Sequence, residues 1–359
     1  MWIFYLLLPI AGMTYAAWHV WQLLPLAPVW RWLAAVATFV LPLMALLGVS
    51  RTIERMPLPV ARAVYEVGDS ALFVLLYMVM GFLVLDLGRL VRIVPKAWLY
   101  SNALTAALLA AILVVVFVAG NLHYQHKERI HLSINTEKTL QRPLRVVMVS
   151  DVHLGYHNRR AALARWVDMI NAEHPDVVLI AGDLVDISLR PLRAEGMDEE
   201  LRRLQAPVYA CLGNHEYYAG VAEATDFFRQ SGITLLRDST ASVAGITLVG
   251  RDDRTNVHRQ NLNRLMRGVD LSRPVVLLDH QPYHLEQAER SGVDLQLSGH
   301  THRGQVWPIS WITDALYEVS YGEWQRGATR YYVSSGLGIW GGKFRIGTCS
   351  EYVVVDINR

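Results

Sequence analysis

LRVVMVSDVHLG, running from Leu144 to Gly155, decides how this chain is read. Four consecutive apolar residues, Val146 to Val149, and Ser150 lead into Asp151-Val152-His153. A short apolar run of this kind suits a strand buried on both faces. The polar residues then fall just past its carboxyl end, where layered α/β folds bind ligands.

The same punctuation recurs downstream. Val177–Ala181 runs into Gly182-Asp183, and Val208–Leu212 into Gly213-Asn214-His215-Glu216. Val275–Asp279 runs into His280, and Leu295–Ser298 into Gly299-His300-Thr301-His302. Further strands are expected at Ile246–Gly250, Tyr331–Ser334 and Tyr352–Ile357. Leu163, Trp166, Val167 and Ile170 repeat at helical spacing, and Phe227-Phe228 lie on another helix stopped by Gly232. The later strands have less helix between them, so part of the sheet is expected to be antiparallel. Layered α/β architecture follows.

Asp151, Asp183 and Asn214 join five strand-end histidines in a nitrogen and oxygen donor set without thiolate. Such a set suits Mn, Fe, Zn or Ni. Eight candidates fit two ions better than one. Two cations about 4 Å apart suit phosphoryl transfer, since they clamp a phosphate and acidify a water. An Asp can bridge two cations with its two oxygens, and Asn adds a neutral oxygen. The glycines before Asp183, Asn214 and His300 are expected to permit tight turns. Cys211 and Cys349, the only cysteines, exclude a disulfide framework and a Cys-based zinc finger. Cys211 is read as a small core residue.

The five motifs, in this order, resemble those of the calcineurin-like metallophosphoesterases over about Arg142 to Arg359. Gly182-Asp183-Leu184-Val185-Asp186, with Gly304-Gln305 after the last motif His, is similar to the membrane-associated bacterial branch. The resemblance implies an αββα two-sheet sandwich. It implies one metal on Asp151, His153 and His302, a second on Asn214, His280 and His300, and Asp183 as the bridge. His215 would face the substrate as acid or transition-state stabiliser while a metal-bridging hydroxide attacks. The implied cofactors are two divalent ions, with Mn favoured over Fe or Zn. Relatives often have Gly where Arg303 stands here. Arg303, Arg345 and His157 are candidate substrate-binding residues.

The first third reads differently. Residues 1–120 carry only 11 charged side chains, in a chain that is 52% hydrophobic. Apolar runs at Met1 to Trp18, Trp32 to Val49, Ala71 to Leu85 and Ala103 to Gly120 approach the roughly 20 residues of a membrane span. The expected organisation is therefore a four-helix transmembrane region over 1–122, with spans near 1–20, 31–49, 70–90 and 99–120. A linker with the first strand follows over 123–141, and the metallophosphoesterase domain occupies 142–359. The first run lacks a basic leader and a cleavage site, so it is read as a retained span. Asp86 is placed at a helix end, facing Arg89. Arg51, Arg55, Arg62, Lys127, Arg129, Lys138, Arg142 and Arg145 outweigh Arg31, Arg89, Arg92 and Lys96 on the other side. That imbalance puts the domain on the cytoplasmic side of a bacterial inner membrane.

Trp307, Trp311, Tyr317, Tyr321 and Trp324 follow the last metal motif and form an expected lipid-facing lip. The expected activity is hydrolysis of a phosphoester or pyrophosphate, on a lipid-linked or amphiphilic substrate. Narrower readings are an enzyme similar to UDP-2,3-diacylglucosamine pyrophosphatases, or a membrane metal sensor without turnover. The net charge of +2 and the lack of a basic stripe speak against a nucleic-acid partner.

Overall fold

The strands are few-residue apolar segments, and their alternation explains how both faces come to be covered. In the computed structural model, which describes residues 2–359 and side chains from Leu8 onward, Val146 and Met148 point to one face of their strand and Val147 and Val149 to the other. The first pair joins Leu179, Cys211, Leu248, Val276, Leu297 and Val353 in a core between two sheets. The second pair packs under Trp166, Ile170, Phe227 and Phe228 from helices Arg160–Ala172 and Val221–Gln230. Val249, Val275, Leu277 and Val333 bury the far face of the other sheet under Leu262, Leu285 and Ala288. The layers are thus helix, sheet, sheet, helix.

Twelve strands build the two sheets: β1 (Lys127–Asn135), β2 (Leu144–Val149), β3 (Val177–Ala181), β4 (Val208–Cys211), β5 (Thr234–Leu235), β6 (Ser239–Val243), β7 (Ile246–Gly250), β8 (Val275–Leu278), β9 (Leu295–Ser298), β10 (Gly322–Arg326), β11 (Thr329–Val333) and β12 (Ser350–Asn358). One sheet has the order β1-β12-β2-β3-β4-β5, the other β10-β11-β9-β8-β7-β6. The central strands β2, β3, β4 and β7, β8, β9 run parallel within their sheets. Antiparallel pairing is confined to β12 with β2, β10 with β11, and β6 with β7. Parallel neighbours place their carboxyl ends on the same edge of a sheet, so the β2, β3 and β4 motifs share one edge and the β8 and β9 motifs share an edge of the other sheet; His280 Nε2, 3.1 Å from Asp183 Oδ2, joins the two edges.

The chain divides into two compact units. One is Met1–Leu122 with Gly341–Phe344; the other is His123–Trp340 with Arg345–Arg359. In the first, three helical stretches among the described residues are long and apolar enough to cross a bilayer: Pro28–Gly48, Leu58–Leu90 and Ala103–Gln125. The fourth expected span, near 1–20, falls partly outside the described residues. The chain is helical from Trp2 to Leu23, but Met1 and the side chains of residues 2–7 lie outside the described residues. The helix expected over 70–90 begins a dozen residues earlier, at Leu58, because Arg62, Glu66 and Asp69 interrupt the hydropathy without breaking the helix. Asp86 does not face Arg89. It accepts from Tyr15 Oη at 2.6 Å and lies 3.0 Å from His19 Nε2.

Gly250 ends β7 where the chain passes close to Leu236. A Cβ there would fall within 2.7 Å of the Leu236 carbonyl oxygen and overlap its side chain. Gly250→Ala should therefore cost about 1–3 kcal/mol, the usual penalty of overpacking. Thermal unfolding of the full chain in detergent should show a Tm lowered by several degrees; an unchanged Tm would show that this crossing yields freely.

Candidate metal centre

Three of the five strand ends, those of β2, β3 and β9, deliver their polar residues through an unusual backbone. Asp151, His153, Asp183, His300 and His302 all have left-handed φ, between 47° and 72°. Non-glycine residues adopt this region at a cost, and surrounding structure must enforce it. Of the three glycines in the motifs, only Gly182 has positive φ, at 85°. Gly213 has φ −108°, so its role is not a left-handed turn. A Cβ on Gly213 would overlap Asp183 Oδ1, and one on Gly299 would overlap Asp151 Oδ2. These two glycines are there to let carboxylates approach the backbone, which corrects the turn-based expectation.

The side chains form two adjoining groups. Asp151, His153 and His302 bring one donor atom each within 4.8 Å of one another, and Asp183, His280 and His300 do the same. His153 Nε2 and His302 Nε2 face each other at 3.0 Å, and His302 Nε2 lies 3.3 Å from Asp151 Oδ1. Asp183 Oδ2 lies 3.1 Å from His280 Nε2 and 3.8 Å from His153 Nε2, so it touches both groups. Asn214 Oδ1 is buried without a hydrogen-bond partner. Buried polar atoms are rarely left so. Converging donors, an orphaned amide oxygen and a carboxylate between the groups fit a pair of divalent cations.

A second layer holds these groups. Glu216 is fully buried; its Oε2 accepts from the N–H of Asp183 (3.1 Å) and Gly213 (2.7 Å), and Oε1 from Val185 (2.8 Å). Burial, with Asp183 beside it, raises its carboxyl to about 7. Asp186 sits behind the site, 3.3 Å from both His153 Nδ1 and His215 Nδ1. Burial pushes its carboxyl up, but the histidines that bond to it carry it well below the usual range. His153 thus turns Nδ1 to a carboxylate and Nε2 to the first group, the arrangement that orients a metal-binding imidazole. His215 resembles it in Nδ1 only. Burial lowers His215, but the charges of Asp183 and Asp186 dominate and push it up to about 9. Its N–H from the backbone is donated to Asp183 Oδ1 at 2.9 Å.

Eight of the sequence-predicted residues are therefore brought together. Two are placed otherwise, Arg345 and His157, while Arg303 stays partly exposed beside the site. Arg345 is only 1% exposed and donates to the carbonyls of His302, Ser335 and Gly338 and to Ser350 Oγ. It fixes the loop carrying His302 and is closed to substrate. His157 is also buried, with Nε2 2.7 Å from the Ile339 carbonyl oxygen. Arg303 lays its guanidinium 4.4 Å from the Tyr321 ring. Trp324 leaves the expected lip as well, since it packs on Tyr331 in the outer core. Glu216 and Asp186 lie within the motifs without a role assigned from sequence; their positions, three residues after Gly213 and four after Gly182, are the available signal.

Glu216→Gln places an amide N–H₂ against backbone N–H groups. It should destabilise the chain by about 1–3 kcal/mol, the cost of unsatisfied buried donors, and reduce bound divalent metal. Elemental analysis together with thermal unfolding checks this, and normal values for both would remove Glu216 from the support of the site.

The calcineurin-like phosphoesterase family model matches residues 144–304. An uncharacterised metallophosphoesterase of Campylobacter jejuni is 32% identical over 225 residues, 61% of this chain and 60% of that one. A Danio rerio transmembrane protein with a metallophosphoesterase domain is 34% identical over 235 residues, 60% of this chain and 53% of that one. The chain thus spans less than two thirds of the length of these relatives. It spans 80% of a Bacillus subtilis metallophosphoesterase, at 30% identity over 236 residues and 58% of this chain. Five ordered motifs, two adjoining donor groups and these likenesses agree: the chain belongs to the metallophosphoesterase family.

Proposed function

We propose that this chain hydrolyses a phosphoester or pyrophosphate bond at a dinuclear centre. The observation that carries the proposal is Asp183, whose Oδ2 adjoins both donor groups. Asp151, His153 and His302 would hold one cation, Asn214, His280 and His300 the other, with Asp183 between them. When bound, two divalent ions, Mn by preference, would supply charge neutralisation on the phosphate and lower the pKa of a water. The chain's own residues do the rest. Glu216 and Asp186 keep the ligands in place. His215, held through Nδ1 by Asp186, would present Nε2 to the leaving oxygen and donate a proton there. A positioned acid of this kind also argues against a sensor without turnover, which has no use for it.

A lipid-linked or amphiphilic substrate is the narrower part of this reading. Helix Ile309–Leu316 follows the His302 turn closely and exposes Trp311 (64%), Ile312 (58%) and Leu316 (68%) on one face, with Trp307 edge-on to Trp311 at 5.3 Å. Exposed apolar clusters of this kind mark contact surfaces, and Trp suits the membrane interface. A single residue, His126, separates helix Ala103–Gln125 from β1, so the chain leaves an apolar helix and enters the sheet at once. A glycolipid pyrophosphate of the diacylglucosamine type is one substrate of this class. The basic residues flanking Pro28–Gly48, Leu58–Leu90 and Ala103–Gln125 favour a cytoplasmic domain, whatever the first helix does.

His215→Ala should keep its metals and lose about 10²–10⁴ in turnover of a chromogenic bis-aryl phosphodiester. Metal analysis alongside the assay separates the roles: metal lost together with activity would make His215 a ligand.

Trp311→Ser combined with Leu316→Ser should raise KM for a phosphoester lipid in vesicles by about tenfold, the scale expected for losing apolar burial. Hydrolysis of the soluble aryl ester should be unchanged. Equal losses on both substrates would assign the helix a packing role.

A further inference from the structure

The loop after β7 is pinned from several directions. Arg251 Nη1 and Arg259 Nη1 each donate to Asp279 at 2.9 Å. Asp252 accepts from Tyr217 Oη at 2.6 Å and from Arg237 Nε at 2.7 Å. Asp253 accepts from Gln281 Nε2 at 2.9 Å and from the Thr255 N–H at 2.8 Å. Asp279 and Gln281 flank His280 in sequence, so the loop is fastened to the strand end that carries a candidate ligand.

Arg254 is the exception in this network. Among the described residues no carboxylate pairs with it. Its guanidinium carbon instead lies 4.0 Å from the centroid of Tyr283. Tyr283 adjoins Tyr317 at 4.9 Å, and Tyr317 meets His300 edge-on at 6.2 Å. The cation is thus held on an aromatic wall that ends at the metal centre. A guanidinium resting on a ring keeps its N–H edge available for a two-point contact with an anion. The half-buried position and the pinned backbone reduce the entropy lost when that contact forms.

We propose that Arg254, on the Tyr283–Tyr317 wall beside His300, is a specificity-determining residue that receives a second phosphate of the substrate, next to the one presented to the dinuclear centre. The inference rests on the dinuclear reading above. It narrows the substrate class to molecules with two phosphates, either sharing an oxygen as in a pyrophosphate or carried separately on one scaffold.

The test uses the full chain in detergent, loaded with Mn, and competitive inhibition of bis-aryl phosphodiester hydrolysis at fixed free Mn. Inorganic phosphate, inorganic pyrophosphate and propane-1,3-diol bisphosphate are the three inhibitors. Arg254→Gln should weaken one or both two-phosphate inhibitors by about ten- to a hundredfold, the worth of a charge-assisted hydrogen bond. Inhibition by inorganic phosphate, and kcat on the diester, should stay within about twofold. Which of the two inhibitors is weakened tells whether the phosphates share an oxygen. Arg254→Lys should recover only part of the loss, because it restores charge without the fork. Unchanged inhibition by both two-phosphate compounds, or equal weakening of all three, would overturn the assignment to Arg254 while the dinuclear reading stands. A native chain that binds no Mn would overturn both, and metal analysis reveals that before any inhibitor is used.

Discussion

Four carboxylates, those of Asp151, Asp183, Asp186 and Glu216, are buried at one edge of a two-sheet sandwich, and each must have its charge answered. An uncompensated buried carboxylate is expensive. The fold answers them in two ways. Glu216 receives three backbone N–H groups, and Asp186 receives histidine ring nitrogens. Asp151 and Asp183 accept single backbone bonds from His300 and His215 and otherwise face imidazole nitrogens. The first pair is therefore largely satisfied by the protein, and the second pair is arranged for cations. This division explains why some acids of the same motifs act as supports and others as ligands.

The same demand accounts for the backbone. To gather the donors that follow β2, β3 and β9, the chain turns sharply within a few residues of each strand. Left-handed φ at five donor residues is the consequence. Arg345 stabilises one such turn by filling the carbonyls of His302, Ser335 and Gly338. Burial lowers its guanidinium to about 10, so the charge survives at neutral pH even inside the domain. A cation buried beneath the ligand loop also offsets part of the negative charge gathered above it.

Much of this was legible in the sequence because parallel strands align their ends. An apolar run followed at once by Asp or His reports both a strand and the side on which its product lies, and the β2, β3, β4, β8 and β9 motifs all obeyed. Charge and polarity alone do not report the direction of a long side chain. Arg345 and His157 are substrate candidates by proximity in sequence, yet both are buried against carbonyl oxygens. Trp324 looked like its neighbours in an aromatic stretch, but its place on β10 turns it to Tyr331. Glu216 could not be separated from an ordinary helix N-terminal acid until its three donors were seen. Arg254 carried no sequence signal, since its meaning lies in the pairing of every charged neighbour and in its own lack of a carboxylate.

Those neighbours also bear on why such a residue can persist. An Arg held on a ring gains a modest cation–π attraction of about 0.5–1 kcal/mol at a partly exposed site. Pairing it with a carboxylate on the loop would have offered a comparable gain, and Asp252 and Asp253 stand directly beside it in sequence. Both acids are instead turned away, to Tyr217 and Arg237 on one side and Gln281 on the other. The loop thus spends its acids on its own anchorage and leaves one cation oriented but unneutralised. Helix Ile309–Leu316 leaves an apolar face uncovered. Tyr317 ends that helix and joins the wall on which Arg254 rests, so the two features meet at one residue. A molecule with an apolar part and clustered negative charge is the kind of ligand that satisfies both at once.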